Sequence, residues 1–274
     1  MKTYTIGHSP DPDDAFMFYA LTHGKIETGN IRFREHLEGI EALNERAERK
    51  EFEITAVSVH QLYYIHDSYR LMNVGASMGD GYGPLVVGRN GTYLPGRRVA
   101  LPGRRTTAAL LFQLRFGTEA EFAVYPFDDV MRAVREEECD YGVVIHEGQL
   151  SYREEGMIAV EDLGRWFTEE TGLPTPLGVN VVRRDLSESE EMDRLLRTSI
   201  AWAFENEEEA LDYALQYARG LEKDSVRKFV RMYVNDLTID LGERGRNGVR
   251  ELIRRGIDRG FLRGTIATAD EIFL

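Results

Sequence analysis

The chain has 274 residues, of which 42% are hydrophobic and 30% charged, and its formal net charge at pH 7 is −13. This composition is typical of a globular protein with a sizeable core, and it excludes a chain that is disordered throughout. The acidic excess argues against partners such as nucleic acid or an anionic membrane, because both require a positive surface. A single cysteine, Cys139, excludes an intrachain disulfide and a cysteine-based zinc site.

The N-terminal residues lead directly into a strand-like pattern, without a charged segment and an apolar run of signal-peptide length. No apolar run reaches the roughly 18 residues that a membrane-spanning helix needs. We therefore predict a cytoplasmic protein that does not associate with membranes.

Short β-rich runs alternate with helical patterns, which is typical of α/β folds. The predicted strands cover residues 3–8, 31–36, 54–59, 71–76, 85–88, 98–101, 121–125, 141–145, 157–160 and 178–183. The predicted helices between them cover residues 13–23, 41–50, 106–116, 127–138 and 163–171. A helical C-terminal region follows, with predicted helices at 187–205, 207–219, 225–233 and 243–259. Ser187 and Glu190 predict a capping box at the first of these.

Two stretches rich in glycine and proline, at residues 90–96 and 174–176, mark the predicted domain boundaries. They predict a two-lobed protein in which an α/β domain at 91–176 is inserted into an outer α/β domain. The outer domain would consist of residues 1–90 and 177–274. A central cleft is expected between the two lobes.

Loops that follow strands are candidate ligand sites, because ligands in open α/β sheets bind beyond the carboxyl ends of strands. Residues 9–14, with the sequence SPDPDD, follow the first strand and carry acceptors that suit helix capping or a ligand. Asp11, Asp13 and Asp14 could alternatively hold a divalent cation, although no second acidic cluster supports one. Ser58 lies at the end of the third strand.

Two further loops are rich in glycine or in hydroxyl groups. Residues 79–83 are not a dinucleotide-binding fingerprint, because a proline and a strand follow them. Their glycines fit either simple backbone turns or a nest of N–H groups around Gly81 and Gly83 that binds an anion. Thr106 and Thr107 would open a helix, where hydroxyl and N–H groups favour a carboxylate or a phosphate.

His146 is the candidate for acid–base chemistry. It follows the apolar strand 141–145, at a position from which it would project into the cleft. A lone histidine is often structural, but an imidazole titrates near neutral pH and is suited to removing a proton. The histidines show no metal-ligand spacing, so we predict no metal site.

The segment after the first strand resembles a motif of a known family. The 1,4-dihydroxy-6-naphthoate synthases, of the futalosine route of menaquinone biosynthesis, carry Ser-Pro-Cys-Pro-Asn-Asp-Thr-Phe where this chain has SPDPDDAF at 9–16. The chain departs from that motif at Asp11, Asp13 and Ala15. The likeness continues in order through Ser58 and residues 83–86, 102–107, 145–147, 172–178 and 183–186.

The resemblance implies the fold of type 2 periplasmic binding proteins and a lyase without metal or organic cofactor. The family cleaves cyclic dehypoxanthine futalosine to 1,4-dihydroxy-6-naphthoate, which implies a small-molecule carboxylate substrate. The proposed general base of the family falls on His146. Substrate contacts of the family fall on Ser58 and Thr107 and, more loosely, on Thr106. The loops that follow strands add Ser9, Asp14, Gly81 and Gly83 to the expected substrate-binding residues.

Two other functions stay open. The fold is compatible with a solute-binding protein for a small carboxylate, because a fold does not determine a function. A chorismate dehydratase-like enzyme is the third candidate. The aromatic stripes of the C-terminal helices fit either a core or a dimer contact, so a monomer and a homodimer are both expected possibilities.

Overall fold

The structure is a computed structural model, and it describes residues 1–263 and 271–274. Its strands are β1 (Lys2–His8), β2 (Ile31–Leu37), β3 (Ile54–Ser58), β4 (Tyr69–Leu71), β5 (Ser77–Gly79), β6 (Leu85–Gly88), β7 (Arg98–Leu101), β8 (Glu121–Val124), β9 (Tyr141–Val144), β10 (Ile158–Asp162) and β11 (Thr175–Arg183). Its helices are α1 (Pro12–Thr22), α2 (Ile40–Glu48), α3 (Val59–Ile65), α4 (Thr107–Phe116), α5 (Val130–Arg135), α6 (Gly148–Ser151), α7 (Leu163–Thr171), α8 (Ser189–Glu205), α9 (Glu207–Ala214), α10 (Lys223–Tyr233), α11 (Asp236–Ile239) and α12 (Gly242–Asp258).

The described chain divides into two compact units. The first contains Met1–Met78, Gly178–Glu243 and residues 271–274, and the second contains Gly79–Leu177 and residues 244–263. The second unit therefore begins before β6, whereas the sequence predicts a boundary at residue 91. The reason is that β6 pairs with β9 and β10, which makes it part of the second sheet. From Arg244 onward, helix α12 also belongs to the second unit rather than to the outer domain.

The sheet of the first unit has the strand order β2-β1-β3-β11-β4, and β5 also pairs with β11. Strand β1 runs parallel to β2 and β3, whereas β11 runs antiparallel to β3 and β4. Helix α1 is buried on almost all sides and packs against α8 and α9. After Asp13 and Asp14 in its first turn, its sequence is apolar on all sides up to Leu21, as expected of a central helix. The aromatic side chains of Trp202, Phe204, Tyr213 and Tyr217 pack against this core.

The sheet of the second unit has the strand order β10-β6-β9-β7-β8. Strand β7 runs parallel to β8 and β9, and β6 runs antiparallel to β9 and β10. The core below the sheet includes Val87, Ala100, Val134, Val144 and Met157. The α/β class predicted from the alternation of strands and helices is confirmed.

Several predicted elements differ locally from those observed. The sequence does not predict α3, because its seven residues, VHQLYYI, are too apolar and aromatic to show a helical period. The predicted capping box is wrong: α8 begins at Ser189, and the Ser187 hydroxyl donates to the Glu188 carboxylate at 2.7 Å. In the part of the chain that the structure describes, no helix has the length and apolar character needed to cross a membrane.

Candidate functional site

The loops after β1 and β3 begin at the same edge of the first sheet. The two strands are parallel neighbours, with Ile6 opposite Ile54 and Gly7 opposite Thr55. This arrangement places residues 9–14 and Ser58 at one edge, as the rule for open α/β sheets leads one to expect. The side chains of Ser9, Asp14 and Ser58 are all buried there.

Residues 9–14, which comprise the loop after β1 and the first turn of α1, are held together by their own carboxylates. The Ser9 N–H donates to Asp14 Oδ2 at 2.8 Å, and the Ser9 hydroxyl donates to Asp11 Oδ2. Arg219 reaches the same loop and forms an ion pair with Asp11 Oδ1 at 2.9 Å. Among the described residues, no group of three or more His, Cys, Asp or Glu side chains is arranged to hold a metal ion.

Asp13 is a buried carboxyl group in the first turn of α1. The Ser77 hydroxyl lies 3.4 Å from Asp13 Oδ2, in a position to donate to it. The other oxygen, Oδ1, is buried and has no hydrogen-bond partner among the described residues. Burial, followed by the negative charges of Asp14 and Asp11, raises the pKa of Asp13 well above the usual range of an aspartate. This environment favours the protonated form.

His8 supports the same loop from the end of β1. Its ring stacks on Phe18 at 4.6 Å, and its two nitrogens lie 3.0 Å from the Ser9 carbonyl oxygen and 3.4 Å from Glu35 Oε1. Burial by itself would lower the pKa of His8, but the hydrogen bond to Glu35 and the charge of Asp14 outweigh it, so the pKa is raised. The ring therefore helps to fix the backbone at Ser9.

Ser58 is positioned by Asn44, a residue that the sequence analysis missed. Asn44 Oδ1 accepts the Ser58 N–H at 2.9 Å, and Asn44 Nδ2 donates to the Ser58 hydroxyl at 3.3 Å. Its backbone carbonyl accepts from Gln61 Nε2 at 3.1 Å. A signal was present, because Asn44 lies beside Leu43 and Ala47 in the buried stripe of α2. A buried amide in an apolar stripe indicates a polar partner.

Three loops meet at one edge of the second sheet. Strands β7 and β9 are parallel neighbours, with Val99 opposite Tyr141, so the loops that follow them begin at the same edge. Strand β6 runs antiparallel to β9 with Leu85 opposite Val144, so the loop before β6 lies there too. The structure thus brings Thr106, Thr107, His146 and the glycine loop 79–83 to this edge. The predicted site residues therefore form two groups, one in each unit.

His146 lies in a turn, two residues beyond the end of β9. Its φ is +58°, a left-handed conformation that is uncommon for residues other than glycine, although histidine is among those enriched there. Such a conformation costs about 1 to 3 kcal/mol and clusters at functional sites. The ring of Phe127 packs edge-on against the imidazole at 4.6 Å, and the Gln149 N–H donates to the His146 carbonyl at 3.1 Å. The turn, rather than the alternation of the strand, orients this side chain.

Thr106 and Thr107 both hold the start of α4. The Thr106 hydroxyl accepts the Ala109 N–H at 3.2 Å as the N-cap, and it donates to the Gly103 carbonyl at 3.0 Å. The Thr107 hydroxyl donates to the Leu177 carbonyl at 2.5 Å. These bonds give both hydroxyl groups a structural role. The predicted helix start is therefore held by the protein's own groups and does not need a ligand.

Replacement of Thr106 by alanine is expected to destabilise the protein by about 1 kcal/mol, because the N-cap acceptor is lost. Thr106→Ser keeps the acceptor and should unfold close to the wild type. Urea denaturation of both variants measures the difference, with Thr118→Ala, at an exposed loop position, as the control. A Thr106→Ala variant with the wild-type midpoint would contradict the capping role.

The glycine loop before β6 is shaped by close backbone packing. A Cβ on Gly79 would lie 1.9 Å from the Tyr82 carbonyl oxygen, and a Cβ on Gly164 would lie 2.1 Å from the same atom. Gly81 has a φ of +80°, and its N–H donates to the Thr168 hydroxyl at 3.3 Å. The structure therefore favours the interpretation of these glycines as backbone turns packed on α7.

Replacement of Gly164 by alanine is expected to destabilise the second unit by about 1 to 3 kcal/mol, because the added methyl overlaps backbone atoms that cannot rotate away. The control is Gly91→Ala, whose Cβ would meet only the Ile158 side chain at 3.4 Å. Thermal unfolding compares the two variants. Equal melting temperatures for the two variants would contradict the prediction, because they would show that the backbone at Tyr82 shifts at little cost to accommodate the methyl group.

The comparison with known proteins identifies the family. Residues 4–258 match the protein family described as Menaquinone biosynthesis. This chain belongs to that family. Two enzymes named 1,4-dihydroxy-6-naphthoate synthase are similar to this family member over almost their whole length. The one from Thermus thermophilus is 38% identical over 263 residues, covering 95% of this chain and 96% of the relative. The one from Streptomyces coelicolor is 35% identical, covering 95% of each.

Solved structures support the same assignment of fold. Protein AF1704 from Archaeoglobus fulgidus superposes with a TM-score of 0.92 at 44% identity, covering 95% of this chain and 98% of that protein. The periplasmic aliphatic sulphonate binding protein SsuA from Escherichia coli matches with a TM-score of 0.67 at 10% identity, covering 99% and 92%. At that identity the match shows the fold alone. The predicted periplasmic-binding-protein fold of this family member is thereby confirmed.

Proposed function

We propose that this chain is a 1,4-dihydroxy-6-naphthoate synthase, a carbon–carbon lyase that converts cyclic dehypoxanthine futalosine to 1,4-dihydroxy-6-naphthoate. The observation that carries the proposal is the near end-to-end similarity to two enzymes of that name. Membership of the menaquinone biosynthesis family agrees with it. We place this reaction in the cytoplasm, since it is a biosynthetic step on a small molecule.

His146 is the proposed general base. A ring carbon of the substrate gives its proton to the imidazole, and the electron pair of the broken C–H bond enters the carbon ring. The carbon–carbon bond to the leaving fragment then breaks, and that fragment departs with the electron pair and takes up a proton. The left-handed turn at residue 146 supports this role, because strained backbone conformations of this kind cluster at functional sites.

Substrate binding is assigned to the polar groups at the two sheet edges. In the first unit we assign this role to Ser9, Asp14 and Ser58. In the second unit we assign it to Thr106, Thr107 and the loop of Gly81 and Gly83, where the two hydroxyl groups and the Gly81 N–H also hold the local backbone. The net charge of −13 repels a carboxylate substrate at long range. Recognition therefore depends on local donors, since salt screens distant charges beyond about 10 Å.

Incubation of the purified protein with cyclic dehypoxanthine futalosine tests the proposal. Formation of 1,4-dihydroxy-6-naphthoate, followed by chromatography and mass spectrometry, is the expected result. A parallel incubation with chorismate tests the dehydratase alternative. Tight binding of the cyclic substrate without conversion would overturn the proposal in favour of a solute-binding protein.

A further inference from the structure

Asp13 combines three properties that the reaction outlined above does not use. Its side chain lies in the first turn of α1 and is only 7% exposed. One oxygen, Oδ2, is placed to accept from the Ser77 hydroxyl, whereas Oδ1 is buried without a partner among the described residues. Most buried polar atoms in proteins have a hydrogen-bond partner, so an exception calls for an explanation.

The charges around Asp13 oppose its ionisation. Asp14 is its neighbour in the first turn of α1, and Asp11 precedes the helix. Arg219, which reaches this loop, is bound to Asp11 and to the Pro10 carbonyl oxygen. A buried carboxylate beside two others is unfavourable, and a bound proton removes that penalty. With the Ser77 hydroxyl placed to donate to Oδ2, the proton belongs on Oδ1, which then becomes a buried donor.

We propose that Asp13 is a neutral carboxylic acid at neutral pH and that its Oδ1 hydroxyl donates a hydrogen bond to an acceptor oxygen of the substrate. The inference rests on the proposed function, because it assigns Asp13 a contact with that substrate. Asp13 lies in the first turn of the helix that follows β1, so it is near the sheet edge at which β1 and β3 end. Oδ1 is enclosed by protein, so this contact requires the groups that cover it to move when the substrate binds.

Two substitutions at Asp13 separate the donor from its charge. Asp13→Asn supplies an amide donor of nearly the same shape, so kcat/KM should stay within about threefold of the wild type at pH 7. Asp13→Leu removes the donor, and kcat/KM should fall about 10- to 100-fold, mainly through a higher KM. Asp67→Asn, at a side chain that is 93% exposed, is the control and should behave like the wild type.

The pH profile adds a readout that a packing role would not change. As the pH rises through the raised pKa of Asp13, the wild type loses the proton that it donates, and kcat/KM falls. The other charged or titratable groups described at this loop are Asp11, Asp14, Arg219 and His8. Asp13→Asn keeps these four groups and lacks only the titratable carboxyl group of Asp13. The decline of kcat/KM at alkaline pH should therefore be absent in this variant.

The outcomes distinguish the two proposals. A wild type that does not convert the cyclic substrate contradicts the proposed function. An active wild type whose alkaline decline persists in Asp13→Asn, or an Asp13→Leu variant that folds and matches Asp13→Asn, overturns the role of Asp13. Carbon-13 NMR of labelled aspartate provides a measurement without turnover. A protonated carboxyl signal at pH 7 that disappears in Asp13→Asn supports the neutral acid, and its titration in the usual aspartate range overturns it.

Discussion

Replacement of His146 by asparagine is expected to lower kcat about 100- to 10,000-fold, the range typical of the loss of a general base. KM should change little, because the binding groups assigned above lie on other residues. Asparagine is a suited replacement, since it also tolerates the left-handed conformation that His146 adopts at φ +58°. The backbone turn should therefore survive, and the loss should report on proton transfer.

Steady-state kinetics on the cyclic substrate measure this effect, with thermal unfolding to verify the fold. His23→Gln, at an exposed histidine in the first unit, is the matched control and should retain wild-type kcat. His146→Gly adds a stricter test, because glycine relieves the left-handed strain and leaves space for free imidazole. Recovery of rate with added imidazole would identify the missing group as the base. Equal rates for wild type and His146→Asn would exclude that role.

Several strands, and the loops that follow them, could be predicted from the sequence for a physical reason. Strand runs such as residues 85–88 and 98–101 are short, apolar and bounded by turn residues, and the structure has strands at these positions. Once strands are known, the rule that ligands lie beyond their carboxyl ends selects the loops at residues 9–14 and 102–107. The local pattern of apolar and turn residues, together with the general rule for α/β sheets, was sufficient to locate these strands and loops.

Features that depend on distant pairing were not predictable in this way. The sequence cannot show that β6 pairs with β9, so the start of the second unit was placed too late. It also gives no sign that Arg219 pairs with Asp11, because 208 positions separate the two. Asn44 is an intermediate case. The helical period of α2 could have shown that its side chain is buried, but not that it binds Ser58.

Replacement of Arg219 by methionine is expected to destabilise the first unit by about 2 to 4 kcal/mol, because it removes the cation from a carboxylate that is buried. Asp11 is 1% exposed and the Arg219 side chain 29%, so the carboxylate would lose its ion pair where water does not replace it. The Ser9 hydroxyl donates to the same carboxylate, so kcat/KM should fall as well. Methionine keeps an unbranched apolar stem and removes the guanidinium with its charge and its donors.

A second substitution distinguishes charge from packing. In Asp11→Asn/Arg219→Met the buried charge is absent, so most of the lost stability should return, and the coupling from a double-mutant cycle should be large. The control is Arg244→Met, which removes a bidentate pair with Asp80 in which both side chains are about half exposed. An exposed pair contributes about 0 to 1 kcal/mol. If urea denaturation found Arg219→Met no more destabilising than Arg244→Met, the ion pair would not hold the 9–14 loop, and Ser9 would owe its position to Asp14 and His8.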